Sequence, residues 1–230
     1  MPADTTASIT RHSLSLGLFG LVAAIILATV HALTADRIQE QQLAAERRAL
    51  AEIFPAGLHD NDLLAAAVRF DAGAPSSFQL LDVLTLQTPR PGYIARRNGV
   101  FTGAVIPVDA LDGYSGTINL LVGIGNDGRV TGVRVTEHHE TPGLGDKIDA
   151  NVSNWIFGFD GTSLTSPALE HWKVTKDGGD FDALTGATIT PRAVVGAVYR
   201  ALEYFRAHHD DIFIDPSSRT AERANPSPGS

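Results

Sequence analysis

The pattern of apolar positions along this chain changes character several times, and each change predicts a different element. Between Arg11-His12 and Asp36-Arg37 no Asp, Glu, Lys or Arg occurs, and Leu14 to Leu33 is rich in Leu, Ile, Val and Ala. About twenty residues rising ~1.5 Å each span ~30 Å, the thickness of a bilayer core, which predicts a membrane-spanning helix. A cleaved signal peptide is the competing reading, but its apolar region is usually shorter, and the small residues near Ala35 do not line up for cleavage. From Ala35 to Phe54 the Gln, Glu, Ala, Arg and Leu residues favour helix, with Leu43, Leu50 and Phe54 near one face and Pro55 ending it. Such a segment suits a continuation of the membrane helix, a stalk docking on a partner, or a solvated helix covering the chain's own core. Asp60 to Phe70 reads as a short helix, Ala72 to Ser77 as a loop and Leu80 to Leu86 as a strand.

From Tyr93 the period shortens and the chain reads as sheet. Asn98-Gly99 between Tyr93-Ile94-Ala95 and Val100-Phe101 is a two-residue hairpin signal. Ile118, Leu120 and Val122 alternate, Asn126-Asp127-Gly128 turns, and Val130, Val133 and Val135 return, with an irregularity at Gly132 that marks a bulge. A glycine-rich loop, Glu137 to Gly145, leads into an expected helix from Asp146 to Phe157, and Trp172 to Thr175 is expected to form a strand. From Pro191 the apolar residues Val194, Val195, Val198, Leu202 and Phe205 recur at helical spacing, so Thr190 is expected as N-cap and Pro191 as first helical residue. Thr188 then lies beside a helix N-terminus, where unpaired N–H groups and the positive end of the dipole favour a phosphate. Beyond Phe205 the stripe fades; Ile212-Phe213-Ile214 is expected to pack back, and Pro216 to Ser230 has the composition of a disordered tail. These elements predict an α+β chain: one N-terminal transmembrane helix, then a mainly antiparallel sheet with packed helices. The expected divisions are an N-terminal segment 1–13, an anchor 14–33, a helical stalk and lead-in 34–91, a domain 92–207 and a C-terminal tail 208–230.

Composition narrows the function. With a formal net charge of −8 and no basic tract, the chain lacks the basic face of a nucleic-acid binder. It contains no Cys, which excludes disulfides, iron–sulfur clusters and thioether-linked haem built on its own thiols. An organic cofactor is then the simplest vehicle for electrons. No metal site is expected: His138 and His139 are strand neighbours whose side chains diverge, and His208 and His209 sit at a helix end, where imidazole meets free carbonyls.

The candidate chemistry lies in Asp182-Ala183-Leu184-Thr185-Gly186-Ala187-Thr188. Asp, two variable residues, Thr or Ser, Gly, Ala, Thr resembles the flavinylation motif of FMN-binding domains, in which a transferase takes FAD as donor and links FMN through its phosphate to the last Thr. With the N-terminal anchor, the hairpin from Gly116 through Asn126-Asp127-Gly128, and Glu140-Thr141-Pro142-Gly143-Leu144-Gly145-Asp146-Lys147-Ile148, residues 14 to 207 resemble one family. That family is the G subunit of the Rnf-type ion-translocating electron-transport complex, and more distantly the C subunit of the sodium-pumping NADH:quinone reductase. The resemblance implies that Thr188 carries FMN as a phosphothreonine ester, with Thr185, Gly186 and Ala187 as the adjoining wall. It also implies that Glu140, Thr141, Gly143, Leu144 and Lys147 lie near the flavin, Leu144 as apolar contact. Lys147 either stabilises reduced, anionic flavin or is a surface lysine, and Asp182 is read by the transferase or caps a loop.

By the same resemblance the chain is an electron-carrier subunit of a ferredoxin:NAD⁺ oxidoreductase complex, with no catalytic residues of its own and other membrane and peripheral subunits as partners. It would sit in the bacterial inner membrane with its main domain periplasmic, although Arg37, Arg47 and Arg48 after the span outnumber Arg11 before it, a count that alone points to the cytoplasm. The alternatives are the C subunit of a sodium-pumping NADH:quinone reductase, a free-standing flavin enzyme and a non-redox envelope-binding module.

Overall fold

The computed structural model describes residues 3–70 and 83–213. It divides between Arg47 and Arg48 into two compact units. A helix, α1 (Ala3–Ile53), begins in the first and ends in the second. In the first unit, α1 leaves Leu16, Phe19, Leu21, Ile25, Leu27 and Leu33 exposed. A helix that is apolar on all sides and uncovered by protein is what lipid solvates, and Leu16–Ala35 is a candidate membrane span. Within it the Thr29 and Thr34 hydroxyls donate to the carbonyls of Ile25 and Val30, at 2.7 and 2.8 Å, so neither hydroxyl is unpaired in an apolar setting.

The second unit is built on one antiparallel meander, β1 (Ala67–Phe70), β2 (Arg90–Arg97), β3 (Val100–Gly113), β4 (Gly116–Gly125) and β5 (Val130–Glu137), paired in chain order. Asn98 and Gly99, with φ of 52° and 77°, make the β2–β3 turn, the double positive φ that matches the twist of a two-residue hairpin. On β4 and β5, Gly123 faces Gly132 and Ile124 faces Val130, so Thr131 is the extra residue of a bulge beside Gly132, as expected.

Both faces of the sheet are covered, which is why β3 and β4 are apolar almost throughout rather than alternating. One face carries Tyr93, Ala95, Val105 and Leu121, packed with Leu63 and with Leu50, Ile53 and Phe54 from the end of α1 and the residue after it. The close approach is set by missing side chains: a Cβ on Gly132 would stand 3.0 Å from the Ile53 Cα. The other face packs Ile106, Val108, Ile118, Leu120 and Val122 against the helix α2 (Ile189–Phe213), whose stripe Val194, Val195, Val198, Leu202 and Phe205 is buried. A polar clamp fixes α2 on the strand: the Arg200 guanidinium donates to the Asp109 carbonyl at 3.0 Å, while the buried Asp109 carboxylate pairs with Arg90 and accepts the Gln87 N–H at 2.9 Å. Burial pushes the Arg90 guanidinium below its usual value, and Asp109 opposes that shift.

Several expected elements are corrected. Asp60 to Phe70 is not a helix. Asp62 Oδ1 accepts the Leu64 N–H at 3.0 Å and the Asp62 carbonyl accepts the Ala66 N–H at 3.1 Å, a single capped turn, after which the chain pairs with β2 as β1 while Asn61 clips onto β2 through the Ile94 carbonyl and the Arg96 N–H. The described part of Leu80 to Leu86 is no strand: Val83 and Leu84 are helical and Thr85 turns with φ 53°. In place of one helix over 146–157 there are two 3₁₀ turns, Gly145–Ile148 and Trp155–Phe159. Between them Asp149 Oδ1 accepts the Asn151 N–H at 2.8 Å and Ser153 Oγ donates to the Lys147 carbonyl at 2.6 Å, diverting backbone groups. Trp172 to Thr175 contributes only a single bridge, Val174 to Phe181, before a 3₁₀ turn at Thr175–Asp177. Beyond the fading stripe, α2 continues to Phe213 with a kink at His208. The loop expected at 72–77 and the tail from 216 lie outside the described residues.

Candidate functional site

The motif begins as a turn and ends as a helix. Ala187 N–H donates to the Leu184 carbonyl at 3.2 Å, closing a four-residue turn whose third residue, Gly186, has φ 83°, the position at which this class of turn demands a positive φ. Leu184 is buried beneath it, Thr185 and Gly186 are exposed, and Thr188 is half-buried immediately before Ile189, the first residue of α2. Thr188 therefore holds the place expected for Thr190. Thr190 lies inside the first turn, fully buried, and Pro191 follows it at a position whose missing N–H the helix does not use.

The freed Thr190 hydroxyl has a different task. It donates to Glu140 Oε2 at 2.6 Å, and Glu140 Oε1 accepts the Ser115 N–H at 2.9 Å. Glu140 is only 5% exposed, so one buried carboxylate joins the tip of the β3–β4 hairpin, the loop after β5 and the start of α2. The loop itself is wound on the Thr141 carbonyl, which accepts the N–H groups of Leu144 and Gly145, both at 3.1 Å, with Gly143 at φ 78°. Gly145 is buried against the same bracket: a Cβ there would meet Glu140 Oε2 at 2.6 Å. Leu144 is thereby held out, 42% exposed, with its Cδ2 2.8 Å from where a Gly186 Cβ would stand.

The structure thus brings the loop of Glu140, Thr141, Gly143 and Leu144 against the segment of Thr185, Gly186, Ala187 and Thr188, joined by the Glu140 to Thr190 hydrogen bond and by Leu144 on Gly186. Lys147 is half-buried, one 3₁₀ turn further on. Asp182 is exposed, and its carbonyl, not its carboxylate, makes the visible contact: it accepts Trp155 Nε1 at 2.7 Å. Trp155 in turn sets its ring edge on Phe159, 5.5 Å between centroids, in a cluster with Phe181 and Trp172. Sequence reasoning missed Trp155 and the Ser115 end of the bracket. The aromatic spacing Trp155-Phe159 was visible, but a backbone acceptor 27 residues away in sequence leaves no mark in a periodicity.

One neighbouring cation is already committed. Arg192, in the second turn's approach of α2, holds both oxygens of Asp177 at 2.6 and 2.7 Å, and these hydrogen bonds keep the Asp177 carboxyl below its ordinary value. The favourable field for an anion near Thr188 therefore comes from the helix end itself. A hydroxyl at that end, a bare Gly186, and exposed Leu144 and Ile189 alongside suit a ligand that is phosphate at one end and a flat apolar ring at the other, as FMN is.

The arrangement defines an FMN-binding domain, and residues 113–203 match the sequence model of that domain, while residues 1–53 match that of the RnfG N-terminal region. The chain belongs to the family of the G subunits of ion-translocating oxidoreductase complexes. It is 48% identical over 212 residues, 92% of this chain and 95% of the relative, to the G subunit of the ion-translocating oxidoreductase complex of Pseudomonas aeruginosa. The proteins of the same name from Vibrio cholerae and Photorhabdus laumondii are 43% identical over 91% of this chain and 96% of theirs, and 45% identical over 85% and 90%, respectively.

Gly186→Ala tests the contact of Leu144 with Gly186. The added methyl meets both a positive φ and Leu144, so the thermal midpoint of the detergent-solubilised chain is expected to fall by about 2–8 °C. An unchanged midpoint would mean that Leu144 does not rest on this glycine.

Proposed function

We propose that this chain is the membrane-anchored flavoprotein subunit of an Rnf-type ferredoxin:NAD⁺ oxidoreductase complex, carrying FMN esterified through its phosphate to Thr188 and relaying electrons between partner subunits. The observation that carries this reading is the position of Thr188: a hydroxyl immediately before the first residue of α2, at the end of a turn flanked by exposed Leu144. In the loading step, the Thr188 oxygen displaces AMP from the flavin-side phosphorus of FAD. One P–O bond forms, the pyrophosphate P–O bond breaks, and the hydroxyl proton passes to the flavin transferase. Bound FMN supplies a carrier of one or two electrons.

The protein's own residues position that carrier. Thr185, Gly186 and Ala187 wall the phosphate end, and Leu144 offers apolar surface to the ring. Glu140 acts through Thr190 and Gly145 rather than by touching the cofactor, and Lys147 adds positive charge nearby. Asp182 is a recognition residue for the transferase. With no Cys in the chain, iron–sulfur clusters belong to partners, and a single candidate span among the described residues leaves the ion path to partners as well.

The main domain is proposed to face the periplasm of a bacterial inner membrane, since long domains translocate against weak charge counts. Protease added to spheroplasts is expected to digest residues from about Arg48 onward; protection until lysis would reverse the orientation.

The ester is tested by Thr188→Ala co-expressed with the flavin transferase. Removing the acceptor oxygen is expected to abolish flavin fluorescence on the denatured polypeptide and the FMN-bearing peptide in mass spectra, with membrane insertion intact. An FMN ester persisting in that variant would move the attachment elsewhere, with Thr185 and Thr190 the first places to look.

A further inference from the structure

The segment Asp182 to Thr188 is tied to the rest of the domain at both ends. Just after it, the Thr190 hydroxyl bonds Glu140. At its start, the Trp155 indole N–H donates to the Asp182 carbonyl at 2.7 Å. Trp155 is itself seated: its backbone N–H donates to Ser153 Oγ at 3.1 Å, Ser153 Oγ donates to the Lys147 carbonyl at 2.6 Å, and its ring stands edge-on to Phe159. The indole therefore links the 3₁₀ turn that carries Lys147 to the first residue of the motif.

The neighbours of Asp182 leave its backbone little freedom. Phe181 is buried and stacked on Phe159 at 4.7 Å, while its own backbone donates to the Lys173 carbonyl and accepts the Thr175 N–H. Leu184, two residues beyond Asp182, is buried and closes the turn to Ala187. Between these anchors the Asp182 side chain is exposed, and its carboxylate has no hydrogen bond or ion pair among the described residues. A charged group whose backbone is fixed while its side chain stays open to a partner is a preorganised contact, because little ordering remains to be done on binding.

We infer that Trp155 is a positioning residue for flavin attachment: by fixing the Asp182 carbonyl it presents the Asp182 carboxylate, at a set offset from Thr188, to the flavin transferase. The inference rests on the reading that the transferase recognises Asp182 and esterifies Thr188. Ordering one residue's backbone corresponds to a factor of about 5–30 in an equilibrium, and that factor falls on the encounter with the transferase rather than on the transfer itself.

The test is loading in vitro. Full-length chain purified in detergent from cells without the transferase is mixed with purified transferase and saturating FAD, and FMN on the denatured chain is followed against chain concentration. Trp155→Phe keeps a ring on Phe159 and removes the N–H, so the KM for the chain is expected to rise about 5–30-fold with kcat unchanged. Asp182→Asn is expected to raise the KM as well, and the double variant no further than the larger single effect, because Trp155 acts through Asp182. Benzothienylalanine at position 155, a bicyclic isostere with sulfur in place of the N–H, gives the same readout with the aromatic cluster filled as in the native chain. An unchanged KM in both Trp155 variants, a loss confined to kcat, or effects of the two sites that multiply in the double variant would overturn the inference and leave Trp155 a packing residue. An unchanged KM in Asp182→Asn would sink the recognition role of Asp182 and this inference with it. Mass spectra of the loaded wild-type chain separate these failures from that of the parent reading, which falls only where Thr188 carries no FMN.

Discussion

The geometry of the site depends on one buried carboxylate. Glu140 arrives from the loop after β5, and its two oxygens are taken by groups from elements far apart in sequence, the Ser115 N–H and the Thr190 hydroxyl. An ionised group withdrawn from water is stabilising only when its lone pairs are satisfied, so removing either donor leaves a costly orphan. That penalty fixes the first turn of α2 relative to the glycine loop. Gly145 then fits against the carboxylate, Leu144 is turned outward onto Gly186, and Thr188 is left at the helix end with its side chain half-buried. The Leu144 to Gly186 contact is a consequence of the bracket rather than a separate construction.

The bracket needs a rigid base, and the sheet supplies it by being buried on both faces. The end of α1 covers one face through Ile53 and Phe54, where Gly132 permits backbone-close approach, and α2 covers the other through its valine-rich stripe. Interiors packed this way transmit displacement rather than absorb it. The Arg90, Asp109 and Arg200 clamp adds direction to the α2 contact, since it fixes the helix at one register along β3. A helix held in register is what keeps its N-terminus, and so Thr188, at a fixed place beside Leu144.

Much of this was legible in the chain itself, for physical reasons that also explain the failures. Asn98-Gly99 and Asn126-Asp127-Gly128 announced their hairpins because few residues adopt the backbone those turns require. The α2 stripe, and the place of Thr188 next to the start of that helix, followed from period. What periodicity could not see was pairing and side-chain competition at a distance: β2 draws the chain into β1 after one turn capped by Asp62, and Asp149, Asn151 and Ser153 broke another expected helix. The same limit hid the site's architecture. Glu140 was expected near a flavin, and its role as a tie to Thr190 and Ser115 depends on contacts 50 and 25 residues away. Thr190 was expected to cap α2 and instead anchors it from inside, leaving Thr188 the place before the helix.

Under the proposed function, the Glu140 to Thr190 hydrogen bond builds the seat that Thr188 offers to FMN. A double-mutant cycle tests it most directly, with Glu140→Gln, Thr190→Val and the pair, each measured for unfolding free energy and for FMN covalently retained after denaturation. A coupling of about 1.5–3 kcal/mol is expected between the two sites, with FMN content falling in each single variant and little further in the pair. Additive losses within about 0.5 kcal/mol, with FMN content unchanged in the single variants, would contradict it.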